Sequence, residues 1–199
     1  MARSTTTRSV GRPREFDKEA ALEAAMDAFW AKGYEATSMT DLCCCTGLHK
    51  GSLYQAFGDK HKLFMESLHH YADVEFREVA AVAYDSESPL ENIRAMVDKI
   101  ASEAKSEKGC MMVNTMVELA PHDPEVRNAL KAISSKRMRF MADMIGKAQQ
   151  AGEIRAELEP EKLALQLMVT LAGSATLVKA FMDGQPLLDN IENLIDSWV

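Results

Sequence analysis

Lys50, Ser52, Tyr54 and Gln55 stand within one short stretch and offer four different kinds of polar contact. Lys brings charged donors, Ser and Gln bring small or bidentate hydrogen-bonding groups, and the Tyr hydroxyl reaches as far as a sugar-phosphate edge. That is the set a helix needs to lie in the major groove of a duplex. Leu53, Ala56 and Phe57 recur on the other side of the same helix, read from about His49 to Phe57, so the polar residues are left facing outward. His49, at its start, can contact a base or a phosphate. Thr40 falls on the first turn of a preceding helix with its hydroxyl free for a phosphate oxygen. Lys60 opens a following helix, where a cation opposes the macrodipole, a cost that makes sense if it meets a phosphate. Arg12 and Arg14 lie in a basic arm suited to phosphates or a minor groove.

These side chains must be held by a hairpin of two helices. Ser38 and, three positions on, Asp41 form a capping-box pattern that starts the first near Thr37 or Ser38. Gly47 supplies a residue that accepts a positive φ, and Leu48 follows it as an apolar plug. An earlier helix, from about Asp17 to Lys32, carries Leu22, Ala25, Met26, Phe29 and Trp30 at helical spacing, and Gly33 stops it.

The stretch Thr37 to Lys60, TSMTDLCCCTGLHKGSLYQAFGDK, resembles the DNA-binding domain of the TetR/AcrR family of transcriptional regulators, together with Phe16, Ala20, Ala25, Phe29, Gly33 and Tyr34 before it and Leu63 and Phe64 after it. The likeness runs from about Arg12 to Tyr71. It rests on G-Y-x-x-T-S followed by T-G-x-x-K-G-S-L-Y-x-x-F-x-x-K-x-x-L-F. The resemblance implies that Thr40, Lys50, Ser52, Tyr54, Gln55 and Lys60 hold the DNA-contacting positions. The sequence departs from the family pattern at His49, where a small hydroxyl residue is more usual, and at Cys44 and Cys45, where polar or charged residues are.

Charge is divided unevenly. Residues 1–60 carry eight Lys or Arg against eight Asp or Glu, and residues 61–199 carry 15 against 22, so the net charge of -7 lies wholly in the second part. A near-neutral head with a basic arm on an acidic body fits a protein that touches phosphates at one end. No uninterrupted apolar run reaches the ~18 residues of a membrane span and no signal segment follows Met1, so a cytoplasmic protein without a membrane partner is expected. Cys43, Cys44 and Cys45 are adjacent and project about 100° apart on a helix. With Cys110 they make neither a disulfide framework nor a Cys-x-x-Cys site.

The expected fold is all-α, with about nine helices. A flexible basic arm (1–15) precedes a three-helix helix-turn-helix domain (16–60), joined to a larger helical effector-binding and dimerisation domain (61–199). A long helix from Asp59 to about Tyr84 links the two, with Leu63, Phe64, Ser67, Leu68, Tyr71, Val74 and Val79 as its buried stripe. Further helices are read from Pro89 to about Ser106, Cys110 to Leu119, Asp123 or Pro124 to Gly152, Pro160 to Phe181, and after Pro186 to about Trp198.

Soft methionines with a few aromatics suit a cavity for an apolar or amphipathic molecule, and the candidates are Tyr71, Met96, Cys110, Met111, Met112, Met116, Phe140 and Met144. The dimer contact is expected on the last two helices, through Leu163, Leu167, Leu171, Ser174, Val178, Ile191, Leu194 and Ile195, as a four-helix bundle that the resemblance also implies. His69, His70 and His122 have no partner at metal-ligand spacing, no serine sits in a nucleophile elbow, and no cofactor or catalytic set is called for.

The reading that follows is a homodimeric regulator of double-stranded operator DNA, a repressor released from a palindrome by a small-molecule effector, with an activator of the same architecture left open. Two alternatives stand beside it. One is a redox- or electrophile-responsive regulator acting through Cys110, Cys44 or Cys45, the first because helix-terminal donors lower a thiol pKa. The other, ranked lower, is a helical protein-interaction module without DNA binding.

Overall fold

Asp17 starts the first helix, α1 (Lys18–Lys32), by accepting from the amides of Glu19 and Ala20 at 3.0 and 3.1 Å. The computed structural model describes residues 16–104, 108–181 and 183–199, so the expected arm, Arg12 and Arg14 included, lies outside the described residues. Gly33, at φ +85°, ends α1 with its amide donating to Phe29 O at 2.8 Å. Thr37, fully buried, donates its hydroxyl to Gly33 O at 2.6 Å and folds the chain back towards α2 (Met39–Thr46). The capping box forms as expected: the Asp41 amide donates to Ser38 Oγ, and the Ser38 amide donates to Asp41 Oδ2. Gly47 adopts the left-handed conformation at φ +67° and turns the chain into α3 (Lys50–Phe57).

Six further helices follow among the described residues: α4 (Lys60–Val82), α5 (Pro89–Ala104), α6 (Met111–Glu118), α7 (Pro124–Gln150), α8 (Pro160–Ala180) and α9 (Gln185–Asp196). Asp59 caps α4 and Asp123 caps α7, each by accepting backbone N–H bonds, while Pro occupies the first turn of α7, α8 and α9. Described residues contain no strand.

Two cores form. In the first, Ala21, Ala25 and Phe29 of α1 pack with Leu42, Leu53, Phe57, Leu63, Phe64 and Leu68, and this core continues into Met111, Met112, Leu119, Val126 and Leu130. Phe29, Tyr34 and Phe64 meet edge-on or stacked at 5.0–6.0 Å between ring centroids. The head's apolar core therefore runs past residue 60 and takes in the starts of α6 and α7. The second core gathers α5, α7, α8 and α9 around Ile93, Met96, Ile145, Leu167, Ile191, Ile195 and Trp198. Arg155 pins the chain's end, donating to the carbonyls of Ser197 and Trp198.

The long helix α4 belongs to both cores, with Leu63 to Ala72 in one and Val79 in the other. It departs from the expected stripe at two places: Val74 is only half-buried, and Glu75 is buried in its stead. Helix α8 is long and apolar enough to cross a membrane by length and composition. Its Leu163, Ala164, Leu167 and Ala175 are instead packed against the chain's own helices.

Candidate nucleic-acid interface and ligand cavity

The turn at Gly47 and the burial of Leu53 and Phe57 set which face of α3 looks out. Lys50, Tyr54 and Gln55 are exposed there, Tyr54 at 42%, and Ser52 is half-buried beside them. The Lys50 ammonium lies 5.7 Å from the Tyr54 ring centroid. His49 is the exposed N-cap of α3 and its ring caps nothing, while Thr40 is exposed on the first turn of α2. Lys60 differs from expectation. It is half-buried with its ammonium 4.2 Å from the Tyr34 ring centroid, so its position at a helix start is already stabilised within the chain.

The hairpin is tied to α1 by Lys32, whose ammonium reaches Asp41 Oδ1 at 2.6 Å. That bond, with the hydrogen bonds from Ser38, holds the Asp41 carboxyl far below the usual carboxylate range and raises Lys32. Because the folded-state carboxyl is depressed, its stabilising contribution is fully present above the ordinary carboxylate range. It falls away progressively as the pH drops from that range towards the depressed folded value.

Behind the head, α4, α5, α6, α7 and α8 form a partly open cavity of about 310 Å³. Of the expected residues, Tyr71, Met96, Cys110, Met112, Met116 and Phe140 line it. Met111 and Met144 do not: each is almost fully buried, Met111 in the first core and Met144 in the second, because α6 and α7 turn those positions to neighbouring helices. Most of the remaining wall is apolar, from Phe76 and Val79 through Met138 and Met141 to Met168 and Leu171.

Both charged wall residues went unforeseen. Glu75 and Arg137 pair across α4 and α7, Arg137 Nη2 donating to Glu75 Oε2 at 2.8 Å and to Ala72 O at 3.2 Å. The signal was present in each apolar stripe: a Glu four positions after Tyr71, and an Arg four after Ile133 and four before Met141.

Cys110 is the N-cap of α6, its sulfur 3.8 Å from the Tyr71 hydroxyl. The expected lowering by helix-terminal donors does not prevail. Burial, with Glu75 nearby, pushes the thiol up, and the backbone donors and Tyr71 only partly oppose it. Cys44 and Cys45 are exposed on α2, and burial of its sulfur side raises Cys45 as well.

The expected dimer residues divide by burial. Leu163, Leu167, Ile191 and Ile195 are buried in the chain's own core and cannot be the contacting surface. Leu171, Ser174 and Val178 are half-buried around a small cleft shared with α9, and Leu194 is half-buried against the second core. What α8 leaves outside is another row, Leu165, Val169, Gly173 and Thr176. Leu165 is 48% exposed and Val169 64%.

Cavity and head are mechanically joined. Trp30 of α1 donates its indole N–H to Gly109 O at 2.8 Å and packs edge-on against Tyr71, 5.1 Å between centroids. Lys108 pairs with Asp27 at 3.1 Å. At the other end of α6, the Glu118 carboxylate accepts from the amides of Tyr34 and Glu35 at 3.0 and 2.8 Å. Gly33 makes room for it, since a Cβ there would lie 2.8 Å from Glu118 Oε2.

A three-helix head with an exposed polar helix after a left-handed glycine turn, mounted on a helical body around a cavity, defines a helix-turn-helix transcriptional regulator. Residues 21–66 match the model for bacterial regulatory proteins of the tetR family, and residues 89–194 match the tetracyclin repressor-like C-terminal domain. The chain belongs to the TetR family of transcriptional regulators.

It is 33% identical to the HTH-type transcriptional repressor ComR of Escherichia coli (strain K12) over 172 residues, covering 83% of this chain and 81% of ComR. A cysteine mutant of the TetR family regulator CifR, solved in complex with 26-bp double-strand operator DNA, superposes with a TM-score of 0.84 at 30% identity. That match covers 95% of this chain and 100% of the CifR chain. A TetR regulator from Chloroflexus aurantiacus J-10-FL has a TM-score of 0.81 at 26% identity, over 90% of this chain and 92% of its own.

Proposed function

We propose that the chain is a cytoplasmic homodimeric repressor that holds a palindromic operator when empty and releases it when a small molecule fills the cavity. One observation carries this reading: Tyr71 is at once a wall of the cavity and a packing partner of Trp30 in the head, so an occupant cannot press on that wall without pressing on the head. The chain's likeness to ComR, a repressor, and to CifR, solved on operator DNA, supports the reading. Lys50, Gln55, Ser52 and His49 read base edges or adjacent phosphates, with Thr40, Tyr54, Lys60 and the arm residues Arg12 and Arg14 on the backbone. Each head reads one half-site, and two heads about 34–36 Å apart read the palindrome. Release requires only a modest shift, since tenfold in affinity is about 1.4 kcal/mol. No catalytic step is involved.

The test begins by selecting genomic fragments that bind the purified protein. On the selected duplex, Lys50→Ala with Tyr54→Phe is expected to weaken binding at least about tenfold and to lower the slope of log affinity against log salt by about one. Unchanged affinity and slope would remove α3 from the interface.

A covalent signal through Cys110 has one observation in its favour, the place of the thiol on the cavity wall. Its raised pKa works against it, because the thiolate is the reactive form. N-ethylmaleimide at neutral pH, followed by peptide mass spectrometry, is expected to modify exposed Cys44 about tenfold or more faster than Cys110. The reverse order would promote the covalent reading above the reversible one.

A further inference from the structure

The polar groups of the cavity are gathered at one place. Tyr71 and Glu75 stand one turn apart on α4, Ser134 and Arg137 one turn apart on α7, and Cys110 closes the group from the start of α6. Beyond these five, the wall is built of Met, Phe, Val, Ile, Leu and Ala. Glu75 and Arg137 are its charged members. They are paired with each other, Glu75 at 7% exposure, and the Ala72 carbonyl fixes the guanidinium from a second side.

That pairing decides what a ligand can bring. A carboxylate entering the corner gains Arg137 but is set against Glu75. An ammonium gains Glu75 and is set against Arg137. In either case a charge leaves water for an apolar space whose own charges already cancel. A group that is neutral but both donates and accepts meets no such conflict, since it can donate to the Glu75 carboxylate and accept from Arg137, Tyr71 or Ser134. The volume sets the rest: about 310 Å³ lies at the small end of the range for small-molecule pockets, roughly 300–1,000 Å³, which favours a compact ligand.

Building on the effector-responsive reading above, we infer that the Glu75–Arg137 pair is the specificity element of the cavity and that it selects uncharged compact molecules with an apolar body and a single amide or hydroxyl head, against acids and amines of the same shape. Such a head would lie beside Tyr71, at the end of the cavity that touches Trp30.

Four probes of nearly one shape test this with the full chain: 3-phenylpropanamide, 3-phenylpropan-1-ol, 3-phenylpropanoate and 3-phenylpropylamine. Calorimetry at neutral pH is expected to give dissociation constants at least tenfold lower for the amide and alcohol than for the acid and amine. The single variant Glu75→Gln, shown folded by its circular dichroism melt, is expected to turn the preference towards the acid, since Arg137 is then unopposed. The single variant Arg137→Met is expected to turn the preference towards the amine.

Tighter binding of the acid or the amine to the unaltered protein would overturn the selection rule, as would single variants that both keep the original preference. Either result leaves a ligand-responsive regulator standing. If none of the four binds at millimolar concentration and none releases the selected duplex, the selection rule and the cavity's role as effector site fail together.

Discussion

Gly173→Glu should leave a folded monomer that has lost about 10²- to 10⁴-fold in operator affinity, the range by which two linked contacts exceed one. The argument starts from open space. A Cβ at Gly173 meets nothing within 4 Å in the single chain, and the residue lies inside α8, where replacing Gly by a better helix former is worth up to ~1 kcal/mol. The variant chain should therefore fold at least as well on its own. Its cost falls entirely on association. Leu165, Val169 and Thr176 flank the site on the outer row of α8, and the absence of a side chain there lets a second helix approach closely. Around a two-fold axis the new carboxylates would face each other or an apolar partner, and neither is tolerated at a buried interface. Sedimentation velocity at about 10 μM should report the monomer, and anisotropy the lost affinity. A dimer of unchanged operator affinity would place the interface on another face.

The helix-turn-helix was legible because its signals are local. A capping box spans four residues, a left-handed glycine turn one, and the buried Leu53 and Phe57 are one turn apart. Each acts through backbone geometry that neighbouring residues decide, and distant packing had little left to add. On α8 the opposite holds. Leu163 and Leu167 are spaced by four, and so are Leu165 and Val169, so periodicity marks two apolar rows without saying which is inside. Helices α5, α7 and α9 make that choice, burying the first row and leaving the second out.

The cavity was half legible for a related reason. Methionine-rich segments pointed to it, yet Met111 and Met144 serve as core, and the polar corner joins Glu75 to Arg137 across 62 positions. Each charge could be seen interrupting its own apolar stripe, but only the packing of α4 on α7 reveals that they answer one another. Cys110 teaches a third lesson. A place at a helix start lowers a thiol pKa only where water or charge supports the thiolate, and here burial outweighs the helix donors.

Glu118→Ala should separate what the head binds from what the cavity senses. Helix α6 contributes Met112, Val113 and Met116 to the cavity wall, and its last residue grips the turn after α1 through two backbone amides. Movement of α6 by an occupant is thus passed to Tyr34 and Glu35, which adjoin the aromatic cluster under α4. Without the carboxylate those amides lose charged acceptors, a loss of about 1.5–3 kcal/mol for a bond to a charged group and less where water replaces it. A fall of about 2 kcal/mol in unfolding free energy is expected, with faster hydrogen exchange at both amides.

Operator affinity should stay within about threefold, because α2 and α3 keep their own caps and core. The shift in operator affinity on saturation with 3-phenylpropanamide should shrink by about tenfold, which is ~1.4 kcal/mol of coupling. Gly33→Ala reaches the same contact from the other side. Its Cβ displaces the carboxylate and its φ of +85° is strained for an L side chain, so it should lose the same coupling with a larger drop in stability. If Glu118→Ala frees the two amides yet leaves the operator response at its full size, the signal does not travel through the end of α6, and the contact of Trp30 with Tyr71 and Gly109 is left to carry it.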